Sequence, residues 1–134
     1  MRTTKSKRLP LCTDEDVVRV RLAARDWMVE QEFPLLKQTK MVTATSELAR
    51  NALTHGGGGE VLLECHEDNE RRGLRVIVKD HGRGIANLEQ ALKGGFSTGE
   101  GLGLGLSGAN QLVDEFAICS APDQGTCVTV TMWK

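Results

Sequence analysis

Three short segments of this chain hold residue types whose spacing could do chemistry. In the first, Glu47 and Asn51 stand four apart, so a helix would place them on one face, with Thr43 and Thr54 nearby. A carboxylate and an amide oxygen side by side can organise a hard cation. The amide adds no negative charge beside a phosphate. Taken alone, such a pair is an ordinary solvated helix face. In the second, an apolar run over residues 76–78 leads through Lys79 into Asp80-His81-Gly82-Arg83-Gly84. The carboxylate of Asp80 can accept a hydrogen bond from an exocyclic amino group, and glycines let the backbone pass close to a flat ring. An aspartate in a turn after a strand is also common without any function.

The third segment is residues 95–108, which contain Gly95, Ser97 and Thr98 and then Gly101-Leu102-Gly103-Leu104-Gly105. A glycine-rich stretch that opens a helix turns backbone N–H groups toward an anion, and the helix dipole adds partial positive charge. Alternation of Gly with Leu lets the leucines anchor while the glycines approach phosphates, a pattern that flexible linkers lack. No Gly-Lys-Ser/Thr follows, so this is not a Walker A loop. No strand directly precedes it, so it is not a dinucleotide fingerprint. Gly125-Thr126 forms a fourth, minor element, whose hydroxyl could join a polar network around a ring amino group.

Helices and strands must position these segments. Thr13 with Asp16 fits a capping box, and Val17, Val20, Ala24, Trp27 and Met28 then share one helical face. Pro34 should stop that helix near Phe33. A second helix should span residues 35–54, with Val42, Leu48, Ala49, Ala52 and Leu53 toward the core. The four glycines at 56–59 read as a flexible turn. Residues 61–65 and 74–78 read as one hairpin, and residues 116–120 and 127–132 as another. A short helix is expected at 88–92 and another from about 104–106 to 113. Residues 8–12 could add an edge strand, and residues 1–8 read as a flexible arm. Helices and strands are partly segregated along the chain. The expected class is therefore α+β: one domain over residues 1–134, a two-layer sandwich with helices on one face of a mixed, mostly antiparallel sheet.

Composition narrows the partners. The chain has 134 residues, enough for a single core, with 17 basic and 18 acidic side chains. That balance argues against nucleic acid, which needs a basic excess. The absence of Tyr argues against base-stacking platforms. No apolar run approaches a membrane span. Cys12, Cys65, Cys119 and Cys127 form no C-x-x-C pair and read as reduced, buried cysteines of a cytosolic protein.

In this order and spacing the segments resemble the GHKL ATPase superfamily of gyrase, Hsp90, histidine kinases and MutL. Residues 47–51 look like its N box, residues 80–84 like its G1 box, residues 101–105 like its G2 box, and Gly125-Thr126 like its last glycine element. The chain is shorter than gyrase, Hsp90 or MutL, and no helical segment offers a phospho-acceptor histidine. Its size resembles the bacterial anti-sigma factor serine kinases. Ser46 to Asn51, Gly95-Phe96-Ser97-Thr98 and Leu112 to Phe116 look like the RsbT-type switch kinases of the stressosome, whereas Asn51 to Gly56 is nearer the anti-sigma branch. The resemblance implies the Bergerat-type sandwich and a serine/threonine-protein kinase using ATP and Mg²⁺. Its substrate would be a STAS-domain antagonist, and its second partner a PP2C-type phosphatase. The alternative it implies is an anti-sigma factor that sequesters a sigma factor. It further implies Glu47 as general base, Asn51 as the Mg²⁺ ligand, and Asp80 as the adenine partner supported by Gly82, Gly84 and Thr126. Gly101, Leu102, Gly103, Leu104 and Gly105 would cradle phosphate, beneath a lid containing Gly95, Ser97 and Thr98.

Overall fold

Thr13 starts the first helix. Its hydroxyl accepts from the Asp16 backbone N–H at 3.3 Å, and Asp16 Oδ2 accepts from the Thr13 N–H at 3.0 Å. This closed capping box, with Asp14, Glu15 and Asp16 at the positive end of the dipole, opens α1 (Asp14–Glu30). Val17, Val20, Ala24, Trp27 and Met28 are all buried, as the helical period predicts. After α1 the chain reverses through Glu32, at φ 62°. Pro34 caps α2 (Leu35–Thr54), which buries Met41, Ala44, Thr45, Leu48, Ala49 and Ala52. Of the expected contacts, Val42 and Leu53 are only partly buried.

The computed structural model describes residues 2–82, 108–120 and 124–134. Its strands are β1 (Arg2–Leu11), β2 (Gly59–Glu67), β3 (Arg72–Asp80), β4 (Glu115–Ser120) and β5 (Thr126–Trp133), with residues 108–112 helical ahead of β4. They form one sheet in the order β1-β2-β3-β5-β4. Every pairing among the described residues is antiparallel. Alternate residues of the strands face the helices. Val61 and Leu63 on β2, Leu74, Val76 and Val78 on β3, and Val128, Val130 and Met132 on β5 are buried in the core that α1 and α2 cover. The expected two-layer α+β sandwich is the observed one. Among the described residues no helix is long and apolar enough to cross a membrane.

The structure corrects three expectations. Residues 2–8 are not a loose arm but most of β1, which pairs with β2 from Arg2 opposite Glu67 to Leu11 opposite Gly59, with an irregularity between Thr3 and Lys5. Backbone ladders form whatever the side chains are, and a basic edge strand discourages pairing with further chains. Arg2, Lys5 and Arg8 meet Glu67, Glu30 and Glu60 at 3.9, 3.2 and 3.3 Å. Second, the turn after α2 is an ordered cap: the Gly56 and Gly58 N–H groups both donate to the Ala52 carbonyl at 3.0 Å. Gly57 and Gly58 sit at φ 71° and 101°, which glycine adopts without a steric cost. Third, the four cysteines are free, but only Cys65 is buried; Cys12 and Cys119 are exposed and Cys127 is half-buried. Cys119 lies on the edge strand β4, on the sheet face opposite the one that Phe116 and Ile118 turn to the core.

Candidate functional site

Asp80 is the last residue of β3, opposite Gly59 of β2 and Thr126 of β5. Its Oδ1 accepts two backbone hydrogen bonds, from the Gly82 N–H at 3.0 Å and the Thr126 N–H at 3.2 Å. Its Oδ2 has no hydrogen-bond partner among the described residues. One carboxylate oxygen is thus anchored and the other is left as an acceptor.

The turn that holds Asp80 is tied to the turn before β5. Gly125 donates its N–H to the Gly82 carbonyl at 3.1 Å. The Ser120 hydroxyl donates to the Gly125 carbonyl at 3.0 Å and lies 2.8 Å from Thr126 Oγ1. Gly125 has φ 76°, and a Cβ there would lie 2.3 Å from the Asp80 carbonyl oxygen. Only glycine lets β5 approach this closely.

α2 brings the first segment to the same end of the sheet. Glu47 and Asn51 are one turn apart on it, as expected. The Glu47 carboxylate is 45% exposed and sits 3.7 Å from Arg50. The Asn51 side-chain nitrogen is buried with no partner among the described residues. A buried amide left unpaired is costly unless something else binds there. Four residues past Asn51, the ordered cap puts Gly56 against Asp80. A Cβ on Gly56 would lie 2.3 Å from Asp80 Cγ.

The structure therefore joins Asp80, Gly82 and Thr126 in one hydrogen-bonded unit. It places Glu47 and Asn51 on the helix whose end packs on that unit. Gly84, Gly95, Ser97, Thr98, Gly101, Leu102, Gly103, Leu104 and Gly105 lie outside the described residues, as do the lid at 93–99 and the short helix at 88–92. Sequence reasoning missed Ser120 and Gly56. A serine at a strand end and one glycine in a run of four carry no mark of their neighbours. Among the described residues no cluster of three or more His, Cys, Asp or Glu side chains could hold a metal. The side-chain oxygen of Asn51 is a hard donor that fits Mg²⁺, which takes few protein ligands when phosphates complete its shell.

Comparison with known proteins gives the family and the fold. The family model described as histidine kinase-, DNA gyrase B- and HSP90-like ATPase matches residues 36–134. The serine/threonine-protein kinase RsbT of Bacillus subtilis is 37% identical over 123 residues, covering 92% of this chain and 92% of that protein. An anti-sigma F factor of Bacillus licheniformis is 30% identical over 129 residues, covering 90% of this chain and 85% of that protein. Among solved structures, the RsbU and RsbW domains of Rv1364c from Mycobacterium tuberculosis share the fold. The TM-score is 0.63 at 22% identity, over 98% of this chain and 33% of that one.

Proposed function

Because the chain belongs to the histidine kinase-, DNA gyrase B- and HSP90-like ATPase family, we propose that it is a cytoplasmic serine/threonine-protein kinase of a bacterial partner-switching pathway. It uses Mg-ATP to phosphorylate a STAS-domain antagonist protein. Once released from that antagonist, it binds and activates a PP2C-type phosphatase. The observation that carries the nucleotide assignment is Asp80, with one oxygen held by two backbone N–H groups and the other without a partner among the described residues.

In this reading the free Oδ2 accepts from the adenine amino group. Gly82, Gly84 and Thr126 support that contact, the last two through water. Glu47 is the catalytic base that takes the proton of the acceptor hydroxyl. Its half-exposed carboxylate lies where a partner protein can reach it. Asn51 holds the metal against the phosphates through its side-chain oxygen, and its buried NH₂, without a partner among the described residues, is left to donate to a phosphate oxygen. Mg²⁺ supplies charge neutralisation on the phosphate oxygens. Gly101 to Gly105 cradle the phosphates, and residues 93–99, with Gly95, Ser97 and Thr98, cover them. Phosphoryl transfer depends chiefly on positioning and electrostatics, so these groups suffice.

The test is transfer of labelled γ-phosphate to a candidate STAS protein. Wild type should label it, and Glu47→Ala and Asn51→Ala should not. No labelling by wild type, or equal labelling by the variants, overturns the assignment. A second reading rests on the 30% identity to an anti-sigma F factor and on His55-Gly56 after Asn51. It makes the chain an ATP-dependent anti-sigma factor. Capture of a sigma factor, with no STAS protein or phosphatase, would favour it.

A further inference from the structure

Gly56 stands closer to Asp80 than any side chain would allow. A Cβ built on it would lie 2.3 Å from Asp80 Cγ, 2.5 Å from Asp80 Cβ and 2.6 Å from Oδ2. Rotating the carboxylate relieves only part of this overlap, because Asp80 Cβ is bonded directly to the strand. The strand, the helix cap or the carboxylate as a whole would have to move. Neither side moves freely. Gly56 is fixed by its N–H bond to Ala52 at 3.0 Å, and Asp80 by Gly82 and Thr126. Gly82 closes the same stack, since a Cβ on it would lie 2.5 Å from Gly56 Cα. The end of α2, the end of β3 and the turn after it therefore meet glycine to carboxylate and glycine to glycine.

We propose that Gly56 is a positioning residue that sets base selectivity. It is the surface against which the Asp80 carboxylate lies, so that Oδ1 stays on the two N–H groups and Oδ2 stays aimed at the base. This rests on the assignment of Asp80 to the adenine amino group. Adenine offers a donor at that position, whereas guanine offers a carbonyl acceptor that a carboxylate rejects. A carboxylate displaced from its anchors loses the alignment on which that distinction depends.

The experiment compares ATP with GTP binding by calorimetry in wild type, Gly56→Ala and Gly57→Asn. Gly57 lies in the same cap, at φ 71° and with open space around it, so asparagine there tests the turn without touching Asp80. Wild type and Gly57→Asn should prefer ATP. Gly56→Ala should lose on the order of tenfold or more of that preference, the scale of one hydrogen bond to a charged group. Adding Gly56→Ala to Asp80→Asn should change the ATP-to-GTP ratio no further. An unchanged ratio in folded Gly56→Ala overturns the inference while leaving the role of Asp80 intact. Absence of ATP preference in wild type overturns both. If Gly56→Ala folds too poorly to titrate, thermal melts decide. Gly56→Ala should lower the midpoint sharply in the wild-type background and far less beside Asp80→Gly, where the carboxylate and Cβ are gone. Equal losses in the two backgrounds overturn the inference.

Discussion

Thr126 donates its backbone N–H to Asp80 Oδ1 at 3.2 Å across the β3–β5 ladder, from a position 46 residues further along the chain. The Gly82 N–H donates to the same oxygen at 3.0 Å. Two donors on one oxygen leave Oδ2 as the oxygen without a partner among the described residues. They also make the aspartate part of the fold as well as part of the site.

An Asp80→Asn variant follows from that asymmetry. The amide must keep its oxygen on Gly82 and Thr126, which turns its NH₂ toward the amino group of the base. Donor then faces donor. ATP affinity should fall by about tenfold to a hundredfold, the scale of a lost hydrogen bond to a charged group. Calorimetry checks it, with a melting curve to show that the fold survives. Unchanged affinity would remove Asp80 from the base contact.

Glu47 and Asn51 should separate kinetically. Glu47→Gln keeps shape and removes the base, so the rate of phosphate transfer should drop by about 10²–10⁴-fold while ATP binding changes little. Asn51→Ala should weaken Mg-ATP binding itself. Single-turnover transfer and equilibrium titration on the same preparations distinguish the two. Loss of ATP binding in Glu47→Gln would contradict the division of roles.

Gly125→Ala should damage both stability and binding. It forces a side chain to φ 76° with its Cβ 2.3 Å from the Asp80 carbonyl oxygen. Strain of this kind costs more than about 1 kcal/mol, and displacing residue 125 also moves the Thr126 N–H from Oδ1. Urea denaturation and an ATP titration should shift together. A variant as stable and as tight as wild type would rule out the close approach.

Acid should act through Asp16. The Cys12 N–H, at 2.8 Å, is the main reason its carboxyl is held below the usual 3.8; burial opposes the shift, and Thr13 and Arg19 add to it. A carboxyl whose folded value is depressed stabilises the fold above its unfolded value. That stability is lost as pH falls through the folded one. The wild type should therefore lose stability as pH drops below 3.8. Asp16→Asn should start less stable at neutral pH and fall less over the same interval. Urea unfolding at neutral pH and at about pH 3 measures both slopes. Parallel slopes would exclude Asp16 as the sensitive group.

Much of the molecule is legible along the chain because its determinants are local. The capping box of Thr13 and Asp16, the helical period of α1, the break at Pro34 and the apolar runs of both hairpins each depend on residues a few positions apart. The chemical character of the site is local too. A Glu and an Asn one turn apart, and an aspartate at the end of a strand, can be read without knowing what they meet.

What the tertiary structure decided is everything that depends on distant partners. β1 was unreadable in its basic residues because ladder hydrogen bonds are indifferent to side-chain charge, and only the free edge of β2 gives them a place. Strand order was equally hidden. Inserting β5 between β3 and β4 is what sets Thr126 opposite Asp80 and Ser120 opposite Thr126. Gly56 looked like one of four interchangeable glycines until the sheet brought the Asp80 carboxylate onto its α-carbon. Residue type determined which groups could bind a nucleotide. Long-range packing determined which oxygen of Asp80 is anchored, which has no partner among the described residues, and what holds the carboxylate there.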